Sequence, residues 1–199
     1  MPLVCDITTL GGRLLVWQIS ESEEELAGLC SRHDVADAEN IGAASRRLQR
    51  LAARAALRVA LPDAKVSYSD IGAPYITQSC ISISHCEGYA AVLLSEAPCG
   101  VDIENTGRNF DRVAERFVSE QEKSLSAKDS AIFLPLIWCA KEALYKFSGR
   151  KELDLKRDIE IVSVDIDEGK ITGRLPDNPC AGLAFLRYRD IIIVHTEKF

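Results

Sequence analysis

Gly100-Val101-Asp102-Ile103-Glu104 alternates apolar and acidic side chains, the period of two that belongs to a β-strand. On such a strand Asp102 and Glu104 project to one face, while Val101 and Ile103 turn toward the core. Downstream, the sequence predicts a helix over Arg112 to Leu125 and a longer, apolar helix over Ser130 to Phe147. Four strands follow, at Ile159 to Ile166, Lys170 to Arg174, Ala181 to Arg187 and Asp190 to Thr196, parted by turn signals such as Asp167 to Gly169. Upstream the same order occurs once more. A strand at Arg13 to Ile19 leads to a helix at Ser22 to Leu29, where Ser22 and Glu25 make a capping box. A basic helix comes next, and then short strands at Lys65 to Tyr68, Pro74 to Thr77, and Ile81 to Leu94, the last broken near Glu87 and Gly88. The order predicts an α+β fold of two similar lobes, residues 1–98 and 99–199, each a small, mainly antiparallel sheet packed with helices. No residue-level repeat accompanies it.

A chain of 199 residues with 47% hydrophobic content can bury a substantial core. Its apolar runs, such as Ala131 to Ile137, fall well short of the ~20 residues a membrane-spanning helix needs. Met1 to Leu10 contains Asp6 and lacks the basic start and long apolar middle of a secretory signal, so a cytoplasmic protein is expected. The seven cysteines are odd in number, scattered, and form no CxxC pair, which favours reduced thiols over a disulfide framework or a zinc site. A formal charge of -6 speaks against nucleic acid as a partner. One basic patch stands out against it: Arg46, Arg47, Arg50, Arg54 and Arg58 interleave with Leu48, Leu51, Ala55 and Leu57, the spacing of an amphipathic helix with a cationic face.

Asp102 and Glu104 set two negative groups side by side, an arrangement suited to a hard, oxygen-seeking cation such as magnesium or to a plain solvent-facing edge. In Trp138-Cys139-Ala140-Lys141-Glu142-Ala143-Leu144-Tyr145-Lys146, Glu142 and Lys146 share one helix face within a strongly apolar stretch. Spacing alone makes them a helix-stabilising pair; burial points to a ligand beside them. Ser119 can cap a helix whose first turn holds Glu120 and Glu122. His85 ends the alternating run Ile81-Ser82-Ile83-Ser84-His85.

In their order along the chain, these pieces resemble the 4'-phosphopantetheinyl transferase family, in its long single-chain type with two similar lobes related by a pseudo-twofold, typified by the surfactin-synthetase activating enzyme. The turn Ile71-Gly72-Ala73-Pro74, the segment Ser82 to His85, the strand Gly100 to Glu104, Phe117 to Glu122, and Trp138 to Lys146 carry the resemblance. It implies transfer of 4'-phosphopantetheine from coenzyme A to a serine of an apo acyl or peptidyl carrier protein, with adenosine 3',5'-bisphosphate released. Asp102, Glu104 and Glu142 are implied as ligands of magnesium or manganese, and Glu142, Lys146 and Glu122 as the catalytic groups, with Glu122 or Glu142 the base. Ser84 and His85 are implied contacts of coenzyme A, and Arg46, Arg47, Arg50 and Arg54 candidates for its 3'-phosphate end. A monomer is expected. Ala73 stands where many relatives carry lysine, removing one cationic contact. The alternatives are a metal-dependent hydrolase of a nucleotide pyrophosphate, and a non-catalytic relative that binds coenzyme A or a carrier protein.

Overall fold

In the computed structural model, residues 2–127, 130–176 and 178–197 are described, and the chain divides into two compact units, Met1–Ala97 and Pro98–Phe199. The first unit begins with a hairpin, β1 (Leu3–Thr9) and β2 (Gly12–Gln18), closed at a glycine. Gly12 has φ +139°, and a Cβ there would lie 1.9 Å from the Leu94 carbonyl oxygen; only glycine permits both. Helices α1 (Glu23–Leu29), α2 (Arg32–Glu39) and α3 (Ala44–Ala60) follow. Then come the small hairpin of β3 (Ser67–Tyr68) and β4 (Pro74–Tyr75) and the pair β5 (Cys80–Cys86) and β6 (Tyr89–Ser95).

The first sheet runs β1-β2-β6-β5, with every pairing antiparallel. Buried Ala52, Ala53, Ala55 and Ala56 let α3 lie close on β6 and β2, with Leu51 and Leu57 filling the space beside Trp17 and Val92. The expected capping box of Ser22 and Glu25 is present at α1. Two elements went unread in the sequence. β1 is a half-exposed edge strand held by its antiparallel ladder with β2, and it carries little apolar alternation. α2 is a polar helix that owes its start to a second capping box, Ser31 with Asp34.

The second unit opens on β7 (Val101–Asn105). The helix expected over Arg112 to Leu125 does not form as one piece. A 3-10 turn at Ala114–Arg116 ends where Phe117 and Val118 enter the core, and Ser119 adopts an extended conformation that caps α4 (Glu120–Lys123); a further 3-10 turn covers Ser124–Ala127. Helix α5 (Ser130–Ser148) is the long apolar one. β8 (Glu160–Asp165), β9 (Lys170–Leu175), β10 (Asn178–Tyr188) and β11 (Ile191–Thr196) complete an antiparallel sheet of order β7-β11-β10-β9-β8.

The units share one topological kernel. In the first, β2 leads into the helices and later pairs with β6, the last strand, which pairs with β5. In the second, β7, β11 and β10 stand in the same relation. β1 and the β3–β4 hairpin are the additions in one unit, β8 and β9 in the other.

Candidate active site

β7 is an edge strand whose one neighbour is β11, with Asp102 opposite Val194 and Glu104 opposite Ile192. Directly opposed residues of an antiparallel pair share a face, and Val194 and Ile192 belong to the core under α5. Asp102 and Glu104 therefore stand on the helix side of the sheet. Val101 and Ile103, equally buried, occupy the other face.

Glycine brings the helix to that strand. A Cβ on Gly100 would lie 1.9 Å from the Ala143 carbonyl oxygen, so backbone meets backbone where β7 starts. Cys139, Glu142 and Lys146, spaced to share one face of α5, interact with the acidic pair. Lys146 Nζ donates to Asp102 Oδ1 at 2.7 Å and to the Val101 carbonyl at 2.9 Å. Arg108, four residues beyond Glu104, places its guanidinium on that carboxylate.

The charges act on one another. Burial, then the charge of Asp102, pushes Glu104 from its ordinary 4.5 up to about 7, with Arg108 pulling the other way. Glu142 is raised by the same two causes in the same order, while Lys146 and Arg108 oppose them. The Cys139 thiol, fully buried, is pushed up by desolvation and by both Asp102 and Glu104. Three carboxylates and two cations thus share one field.

Hard oxygen donors of this kind suit magnesium or manganese. Among the described residues no group of three or more histidine, cysteine, aspartate or glutamate side chains is gathered so as to hold a metal. Of the expected ligands Asp102, Glu104 and Glu142, the first two are engaged by cations, Asp102 by Lys146 and Glu104 by Arg108.

Glu122 is not joined to this group by any described contact. Its Oε2 accepts from the Ser119 amide at 2.8 Å, and its Oε1 accepts from the Ile161 amide at 2.7 Å and meets Lys141 Nζ at 2.8 Å. Lys141 also donates to the Leu155 carbonyl at 2.8 Å, and both charged side chains are all but inaccessible to water. These contacts tie Glu122, one of the expected catalytic groups, to α4, α5 and β8. Lys141 lies within the Trp138 to Lys146 motif but was given no role in the sequence, and Arg108, outside every motif, was given none either.

In the first unit, a cavity of about 160 Å³ is lined by Gln49, Arg50, Arg54, Tyr68 and His85, among others. Arg50 reaches Asp37 and the Tyr68 hydroxyl and lies 4.6 Å from the centre of the Tyr68 ring. Arg54 is buried, pairs with Asp34 at 3.2 Å and donates to Tyr68 Oη at 2.9 Å. Its Nη1 has no hydrogen-bond partner among the described residues, which leaves a donor for an anion. The other expected contacts lie elsewhere. Arg47 ties the start of α3 to Glu23 and to the carbonyls of Ile41 and Gly42. Arg46 is exposed, and Ser84, adjacent to His85 on β5, is buried on the opposite face of the strand.

No curated protein matches the chain. The crystal structure of Thermotoga maritima holo-[acyl-carrier-protein] synthase is similar to it at 23% identity and a TM-score of 0.41, covering 52% of this chain and 64% of that one. Residues 98–187, which contain Asp102, Glu104, Arg108, Glu142 and Lys146, match the model of the 4'-phosphopantetheinyl transferase superfamily.

Proposed function

We propose that the chain transfers the 4'-phosphopantetheine arm of coenzyme A to a serine hydroxyl of an apo acyl or peptidyl carrier protein, releasing adenosine 3',5'-bisphosphate. The observation that carries this reading is the face of α5 laid against β7, with Glu142 and Lys146 on Asp102 and Glu104, inside the segment that matches the transferase family. In the reaction the serine oxygen bonds to the phosphorus bearing pantetheine, and the bond from that phosphorus to the nucleotide's bridging oxygen breaks.

We assign the serine proton to Glu142, whose proton affinity burial and then the charge of Asp102 have raised, the direction that makes a carboxylate a stronger base. Glu122 is spent on Ser119, Ile161 and Lys141. Two of the Lys146 N–H bonds are directed at Asp102 and Val101. The third is left for a phosphate oxygen and for the charge that grows on the leaving oxygen. The cationic cavity of the first unit is assigned the 3'-phosphate. The proposal includes magnesium or manganese, the long two-lobed type, and a cytoplasmic monomer. Among the described residues no helix is long and apolar enough to cross a membrane.

The test is mass spectrometry of a panel of apo carrier proteins incubated with the chain, coenzyme A and magnesium. A carrier gaining one phosphopantetheine is the expected result. Coenzyme A cleaved with every carrier mass unchanged would identify a hydrolase instead.

A further inference from the structure

Arg108 is held in place by more than its partner. It follows β7 in a turn in which its amide donates to the Asn105 carbonyl at 3.2 Å. Its guanidinium carbon lies 4.7 Å from the centre of the Phe110 ring and 5.3 Å from that of Trp138. Those rings are fixed in turn: Phe117 meets Trp138 edge-on at 5.1 Å, and Phe110 stands 5.9 Å from Trp138. An aromatic shelf of this kind attracts a cation and orients its planar fork, and the fork is aimed at Glu104. The side chain remains 45% exposed, so it can leave Glu104 for water at little cost. Lys146 is less free, being 27% exposed and bonded to two acceptors.

We infer that Arg108 is a built-in counter-ion of Glu104, and that a divalent cation gains this carboxylate by displacing the guanidinium. The inference rests on the transferase reading for the identity of the ion. It also sets the sign of a mutation. A purely structural arginine, once removed, weakens whatever its loop supports, whereas a competing counter-ion, once removed, strengthens metal binding.

The experiment is a titration of the full chain with Mn2+, without coenzyme A, followed by calorimetry or electron paramagnetic resonance at about pH 9, where carboxylates are ionised. R108Q is expected to bind Mn2+ about two- to fivefold more tightly than the parent, the scale of a partly exposed ion pair. R108K, which keeps the charge, is expected to stay near the parent. Thermal melts of both variants report that the fold is intact. Equal or weaker binding by a folded R108Q overturns the proposal, as does a parent chain that takes up no Mn2+. The carrier assay separates the two readings. If carriers are modified while R108Q binds like the parent, the counter-ion is lost and the transferase stands; tighter R108Q with no carrier modified does the reverse.

Discussion

At Glu104, two neighbours act in opposite senses on one carboxylate. Burial and Asp102 raise its pKa to about 7, and Arg108 restrains the rise. A carboxyl group that binds its proton more tightly folded than unfolded adds stability that is complete below the unfolded value of 4.5 and is lost as pH climbs through about 7. The metal-free protein should therefore lose stability across that window. E104Q removes the titration, so its melting temperature should fall less steeply over the same range and exceed the parent's at about pH 8. Parallel slopes for the two proteins, measured by thermal melts without divalent cation, would refute the assignment. Much at this scale was legible. Asp102 and Glu104 alternate with buried neighbours, and Glu142 and Lys146 share a helix face, because strand and helix periods are written directly in spacing. Arg108 was not legible, since its role depends on a turn and on an aromatic ring at Trp138, thirty positions away. Glu122 shows the converse. Its capping partner Ser119 could be read from the sequence, yet the family pattern pointed to the metal, while Lys141 and the Ile161 amide, which decide its duty, lie far off in the chain.

At the scale of elements, α5 is held by a buried charge as well as by its apolar face. Lys141 points away from Glu142 into the space between α4 and β8, where Glu122 and the Leu155 carbonyl receive it. Removing one member of a buried pair leaves the other charge without compensation. K141M should cost about 3–5 kcal/mol, read by denaturant unfolding. E122Q should cost a similar amount, because it leaves the Lys141 charge without compensation and turns an amide –NH2 toward one of the two backbone amides, Ser119 or Ile161, from which the carboxylate accepts. A loss within about 0.5 kcal/mol for K141M would show that water reaches the pair. The helix expected over Arg112 to Leu125 fails for a related reason. Its apolar residues Phe117 and Val118 are wanted in the core, and the chain breaks at Ser119 to deliver them, a tertiary demand that no local propensity records. β1 and α2 were missed because edge strands and polar surface helices have weak periodicity.

Over the whole molecule, the two units repeat one strand kernel but not one chemistry. The second carries the acids and Lys146; the first carries a cavity whose charged lining is Arg50 and Arg54, against Tyr68 and His85. The repeated element order predicted two lobes of one design, and it could not predict which arginines turn inward, since that follows from Asp34, Asp37 and Tyr68 meeting α3 in space. If the cavity receives the 3'-phosphate, its contribution can be isolated by removing that phosphate from the ligand. Arg50 is the residue to change, because Arg54 is buried against Asp34 and its loss would endanger the fold. A charge-assisted hydrogen bond contributes roughly 1.5–3 kcal/mol, so R50Q should raise KM for coenzyme A by about ten- to a hundredfold and leave kcat nearly unchanged. With dephospho-coenzyme A, which lacks the 3'-phosphate, parent and R50Q should have similar KM values. Discrimination between the two ligands would then collapse in the variant, a result that general damage to the first unit cannot mimic. An equal penalty on both ligands would move the 3'-phosphate out of this cavity and leave Arg50 to its partners Asp37 and Tyr68.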